Sequence, residues 1–189
     1  VKGNSLPDLN KLLDALVLGL YVYNQPRRNK DYIDMVVVPS ADKAPNTDVN
    51  ILDLKDARFI FQNYKTAAKY GTQTLPIPAE LMDLIRAYLT ARGVWSQLTA
   101  PRVIKRGNKT VAAPTVEVPF LLQPNGKPFN VNGITRILNR VFGAKVGSSL
   151  LRHIFLSGKY GKVLEEQKKD AEAMGNSVDI QQKSYIKTD

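Results

Sequence analysis

Residues 6–39 read LPDLNKLLDALVLGLYVYNQPRRNKDYIDMVVVP. Leu9, Leu12, Leu13, Leu16 and Leu20 recur at helical spacing, which predicts a helix with one apolar face. Ser5 or Asp8 is placed to cap its start. Pro26 ends the pattern, because it restricts Gln25 and lacks a backbone donor. Arg27, Arg28, Asn29, Lys30 and Asp31 follow as a charged knot, and a second helix is expected to begin near Lys30. The short β-branched run from Met35 to Val38 stops at Pro39 and predicts a strand.

Beyond it, Ser40–Val49 reads as a polar loop. Arg58–Tyr64 and Gln73–Ile77 read as paired strands, and the intervening Thr66–Thr72, with Gly71, suits a hairpin connection. Pro78 opens a helix whose Leu81, Leu84, Ile85, Tyr88 and Leu89 form a buried face, and Arg92-Gly93 closes it. Thr99–Pro119 reads as irregular; its Arg102, Lys105, Arg106 and Lys109 suit either a solvated loop or a phosphate-contacting one. Asn125-Gly126 marks a turn. Asn130–Phe142 reads as a helix with Val131, Ile134, Ile137, Leu138 and Val141 toward the core. Gly147 with Ser148 or Ser149 opens another, through about Tyr160. Val163–Met174 is a further helix, Gly175-Asn176 breaks it, and Ser177 caps a last short one near Tyr185. The expected fold class is mainly α with a small antiparallel β-sheet near residues 36–77 (α+β), as one domain over residues 1–189.

The chain has 189 residues, with 27 Lys+Arg against 17 Asp+Glu, a net charge of +10. Such a balance points to a polyanion, with nucleic acid as first candidate; a charge serving solubility is the alternative. There is no Cys and a single His. Disulfides, thiolate nucleophiles, zinc fingers and iron–sulfur sites are thereby excluded. Only His153 remains for a His-centred triad. The longest apolar stretch, Ala15–Val22, is far short of the ~20 residues that span a bilayer, and no signal peptide is evident. No membrane role is expected. A start at Val1 rather than Met suggests a cut fragment.

A protein so poor in Cys and His can still act on a phosphodiester. Arginines and a lysine supply charge and protons, and a Tyr hydroxyl can be the nucleophile if cations lower its pKa from ~10. Four signals provide such groups: Pro26-Arg27-Arg28-Asn29-Lys30-Asp31-Tyr32; Tyr64-Lys65-Thr66 in the hairpin, followed by Leu75-Pro76-Ile77-Pro78; Ser149-Leu150-Leu151-Arg152-His153; and Met174-Gly175-Asn176-Ser177, with Tyr185 nine residues past Asn176. Together they resemble the catalytic domain of tyrosine recombinases, the phage-type integrase family, and more distantly the type IB topoisomerases. The resemblance runs from about Leu6 to Lys187, and its style is similar to integrases of viruses and mobile elements of eukaryotes and their parasites. Arg28 falls on the family's first Arg, with Asp31 at the acidic position three later. Lys65 falls on the hairpin lysine, Arg152 on the second Arg and Tyr185 on the nucleophile.

The resemblance implies an integrase fold and DNA strand transfer through a 3′-phosphotyrosyl intermediate, without metal, ATP or other cofactor. It implies double-stranded DNA as partner and a tetramer on DNA in the full-length protein, the fragment itself being monomeric. The implied location is intracellular, with DNA, in an infected host cell or virion. The family's N-terminal DNA-clamping domain is expected to lie outside this fragment. Two positions depart from the pattern. Ser149 stands where the His-x-x-Arg box has its first His, and Asn176 where the Gly-His box has its His. Ser149 is a poor base, and Asn176 donates hydrogen bonds but exchanges no proton near neutral pH. His153 reads as packed or supporting. Spacing to Asp31 favours Arg28 over Arg27, and the preceding strand favours Lys65 over Lys69. Asn176 also suits a left-handed helix C-cap, and Ser149 a helix N-terminal hydrogen bonder. Three rival readings remain: a type IB topoisomerase-like enzyme, a DNA-binding module with the same fold that has lost catalysis, and a basic globular protein unrelated to DNA, which would show no salt-dependent DNA binding.

Overall fold

The computed structural model describes residues 6–43, 48–100, 103–106, 109–112 and 116–184. The chain divides into two units, Val1–Ser148 and Ser149–Asp189.

The first unit opens with α1 (Leu6–Val22), then α2 (Lys30–Ile33) and β1 (Val36–Val38). Of the Leu repeat, Leu13, Leu16 and Leu20 are buried and Leu9 and Leu12 half-buried, and α1 packs against α4 (Ala79–Ala91) and α6 (Val131–Phe142). Gly19 permits the close approach to α4, since a Cβ there would lie 2.8 Å from Leu84 Cδ1. Ser5 and the Asp8 side chain, the expected caps, lie outside what is described.

The remaining elements of this unit are a 3-10 turn at Ala41–Lys43, β2 (Ile51–Asp53), β3 (Arg58–Phe61), α3 (Ala67–Tyr70), β4 (Gln73–Pro76), α5 (Trp95–Thr99), β5 (Val103–Arg106), β6 (Lys109–Ala112) and β7 (Val118–Pro119). The described strands form a five-stranded sheet, ordered β4-β3-β2-β1-β7, and a separate β5-β6 pair. The expected antiparallel sheet is in fact mixed, because β1 runs parallel to β2, with Val37 opposite Leu52. Strand β2 was not expected; its three residues are too few to show a period. The β3–β4 hairpin was, with Phe59 opposite Leu75. Tyr32, Phe59, Phe61 and Phe120 meet beneath the sheet with ring centroids about 6 Å apart. All four are essentially inaccessible, and each such side chain contributes roughly 1.5–3 kcal/mol by leaving water.

Three further expectations need correction. Residues 99–119 are not irregular throughout: β5 and β6 pair, with Arg106 opposite Lys109. The side chains of Arg102, Lys105, Arg106 and Lys109 lie outside what is described. On α6, Ile134, Ile137 and Leu138 are buried, but Val131 and Val141 are exposed, as they sit at the edges of the apolar stripe. Helix α4 follows its pattern, with Pro78 preceding it and Gly93 in the left-handed region after it; Leu84 is only half-buried.

In the second unit the two expected helices are one, α7 (Ser148–Ala173), in which Gly158 and Gly161 are accommodated without a break. Then α8 (Val178–Ser184) follows. Gly175, at φ +68°, ends α7. Its N–H donates to Glu172 O at 3.0 Å, and Asn176 N donates to Ala171 O at 2.8 Å. That is the paired Schellman pattern of a glycine-terminated helix. Ser177 Oγ accepts from Ile180 N at 3.4 Å, at the start of α8. Among the described residues no helix is long and apolar enough to cross a membrane.

Candidate functional site

The turn after α1 sorts its three central side chains by environment. Arg27 points inward. Its Nε donates to Asp31 Oδ2 at 2.9 Å and its Nη1 to Gln73 Oε1 at 2.8 Å. Its guanidinium lies 3.8 Å from the Phe61 ring centroid and 5.0 Å from that of Tyr64. Side-chain exposure is 14% for Arg27 and 4% for Asp31, so this is a nearly buried ion pair. Asn29 also points inward: its Oδ1 accepts from Tyr21 Oη at 2.6 Å, and its Nδ2 donates to Thr135 Oγ1 at 2.9 Å and Val131 O at 3.2 Å. Arg28, between them, makes no side-chain hydrogen bond or ion pair among the described residues.

Arg28 instead lines a cleft of about 350 Å³ with Lys30, Asp31, Asn63, Tyr64 and Lys65. Lys65 stands on the connection between β3 and β4 and is exposed. Tyr64 Oη donates to Gly71 O at 2.7 Å and ties that connection shut. The rival Lys69 lies on α3, its Nζ 5.1 Å from the Tyr70 ring, and does not line the cleft. The carboxylate of Asp31 is answered by Arg27, so three cations face the cleft against a carboxylate that is already paired. Such a concavity attracts an anion such as a phosphate. Beneath it, burial pushes the Tyr32 phenol well above its ordinary range, with Arg27 opposing and Asp31 adding to the rise. Tyr32 is therefore a packed aromatic and not a nucleophile.

In the second unit, Arg152 is half-buried on α7 and its Nη2 donates to Ser149 Oγ at 3.0 Å. Its neighbours Leu150, Ile154 and Leu156 are exposed. His153 is exposed rather than packed. Gly175, not Asn176, occupies the left-handed position, so Asn176 is not the C-cap in that sense; its backbone closes the motif. Tyr185 lies outside the described residues. The structure thus brings Arg28 together with Lys65, and Arg152 together with Ser149, each pair within its own unit. It removes Arg27 from the cleft lining. Among the described residues no group of three or more His, Asp or Glu converges as a metal site.

Sequence reasoning overlooked Asn50, Asn29 and Gln73 as supports. Asn50 lies between Val49 and Ile51, and a polar residue interrupting an apolar run was the available signal for a buried, bonded amide. No protein-family model, curated protein or solved structure matches the chain.

Proposed function

We propose that the chain is the catalytic domain of a tyrosine recombinase, acting as an integrase of a viral or mobile element on double-stranded DNA inside the cell or virion. In this reading Tyr185 gives up its phenol proton to solvent and its oxygen attacks a DNA phosphorus in line. A 3′-phosphotyrosyl bond forms, and the bond to the 5′-oxygen breaks. Arg28 and Arg152 hold the non-bridging oxygens, and Lys65 gives its proton to the departing 5′-oxygen. A second 5′-hydroxyl then attacks the phosphotyrosine, joins the new strand and returns the tyrosine. The covalent link conserves the bond, so no ATP enters the balance. Full-length chains act as a tetramer.

The observation that carries the reading is the cleft. Arg28 and Lys65, far apart in sequence, line one concavity whose carboxylate is already paired, and both leave their charges for a ligand. The replacement of both family histidines, by Ser149 and Asn176, favours one second reading, a DNA-binding module without turnover. A duplex nicked beside the scissile phosphate, which loses its short 5′-hydroxyl fragment on cleavage, separates the two. Wild type is expected to accumulate covalent DNA while Tyr185→Phe forms none. Salt-dependent binding without covalent product, across a panel of sites, leaves the binding module standing. Relaxation of supercoiled DNA without exchange between two sites favours the topoisomerase-like rival.

A further inference from the structure

One buried amide touches both walls of the cleft. Asn50 directly precedes β2, and its carbonyl accepts from Val36 N at 2.9 Å, so its backbone is held at the sheet. Only 4% of the residue is exposed. Its Nδ2 donates to Asp31 O at 2.8 Å and to Asn63 O at 2.9 Å. Its Oδ1 accepts from Gln62 N at 2.9 Å and Asn63 N at 2.8 Å. An amide side chain has two donor hydrogens and two acceptor lone pairs, and all of them are used here.

The partners belong to two different segments. Asp31 is three residues after Arg28, and Asn63 is two before Lys65. Neither cation has a side-chain partner of its own among the described residues. Their placement therefore comes from the backbones that carry them, and Asn50 joins those backbones. The acceptor half of the amide only closes the end of the hairpin. The donor half that reaches Asp31 O is the part that spans the cleft. Arg27 makes a second span, from Asp31 to Gln73 and over the Tyr64 ring, but its hydrogen bonds do not reach the Asn63–Lys65 backbone, which Asn50 holds.

We propose that Asn50 is a positioning residue, which sets the separation of Arg28 and Lys65 so that both address the same phosphate. The proposal rests on the cleft being the phosphate site of the function proposed above. Groups that act together on one transition state need their geometry held to roughly 0.5 Å, and a misplacement of about 1 Å can cost ~10²-fold in rate.

The test uses the full chain with Asn50→Asp and Asn50→Ala. Aspartate keeps the acceptor toward Gln62 N and Asn63 N and loses both donor bonds, to Asp31 O and to Asn63 O; alanine removes all four. Single-turnover trapping on the nicked duplex gives a rate constant and an amplitude. Both variants are expected to lower the rate constant at least about tenfold, with the duplex Kd rising less than about threefold. A reduced amplitude at an unchanged rate constant means that Asn50 only keeps the chain folded, and overturns the proposal. A second measurement needs no turnover. In a Tyr185→Phe background, the losses of duplex affinity from Arg28→Ala and Lys65→Ala should be non-additive, because one phosphate is shared. They should become additive once Asn50→Asp is present. If wild type trapped no DNA, strand transfer would fall as the function, and this cycle alone would decide on Asn50. Additive losses with Asn50 intact would then overturn the proposal.

Discussion

Arg27 and Arg28 are neighbours of the same type, and the structure gives them opposite consequences on removal. Arg27→Ala leaves the Asp31 carboxylate, 4% exposed, without its cation. Breaking one side of a buried pair costs about 3–5 kcal/mol. Arg28→Ala removes a side chain with no partner, and changes of that kind stay within about 0.5 kcal/mol. Trp95 is the chain's single tryptophan and lies in the first unit, so its fluorescence follows the unfolding of the unit concerned. With a urea slope of about 2 kcal/mol/M, Arg27→Ala should lower the midpoint by roughly 1.5–2.5 M, and Arg28→Ala by no more than about 0.3 M. Adding Asp31→Asn to Arg27→Ala removes the stranded charge and should restore part of the loss. On covalent trapping the order reverses. Arg28→Ala should slow it about 10²–10³-fold, the scale of losing one preorganised transition-state donor. Equal midpoint shifts for the two alanines would refute the division of labour, as would a loss below about 1 kcal/mol for Arg27→Ala.

Three other outcomes are expected. Burial holds the Tyr32 and Tyr88 phenols above their usual value of 10.0, so both stay neutral in the folded chain. The stability this gives is complete below pH 10 and is lost as the pH rises above 10 toward the raised values; urea midpoints between pH 8 and 11 should fall only at the alkaline end, and Tyr32→Phe should lessen that fall. Gly175→Ala puts a Cβ in the left-handed region at a cost of about 1–2 kcal/mol; amide exchange at Asn176 should quicken about 5–30-fold, whereas Gly147→Ala, whose Cβ meets nothing within 4 Å, should change little. Lys65→Ala should slow cleavage of an ordinary duplex but not of one whose bridging 5′-oxygen is sulfur, because a thiolate leaves without a proton. An equal defect on both substrates would remove Lys65 as the acid.

Much of the fold could be read in the chain because its longer elements carry a clear period. The Leu repeat of α1 and the apolar faces of α4 and α6 are examples. What escaped depends on distance or on local ambiguity. Strand β2 is three residues long and exists through its pairing with β1 and β3. The β5–β6 pairing did have a local signal, Gly107-Asn108 between the runs Val103–Arg106 and Lys109–Ala112, but four basic residues and the flanking Pro101 and Pro114 made the stretch read as a loop. The helices expected through about Tyr160 and over Val163–Met174 are the single helix α7, which carries Gly158 and Gly161 in its interior.

The site was legible in part, and the same logic explains which part. Arg28 was singled out by the family resemblance and its spacing to Asp31, Lys65 by the resemblance and the strand before it, and both line the cleft. Asp31 was read as the companion of Arg28 from a spacing of three, whereas its carboxylate faces Arg27, four residues away, the other helical neighbour. Asn50 gave almost no sign, since its role lies entirely in which distant backbones it joins.

Mass spectrometry of the protease-digested covalent complex tests the central claim most directly. The account predicts a peptide containing Tyr185 that carries the 3′-phosphate of the cleaved strand on that tyrosine, while the released strand bears a 5′-hydroxyl. An adduct on another residue, a 5′-phosphate linkage, or no adduct at any duplex would contradict it.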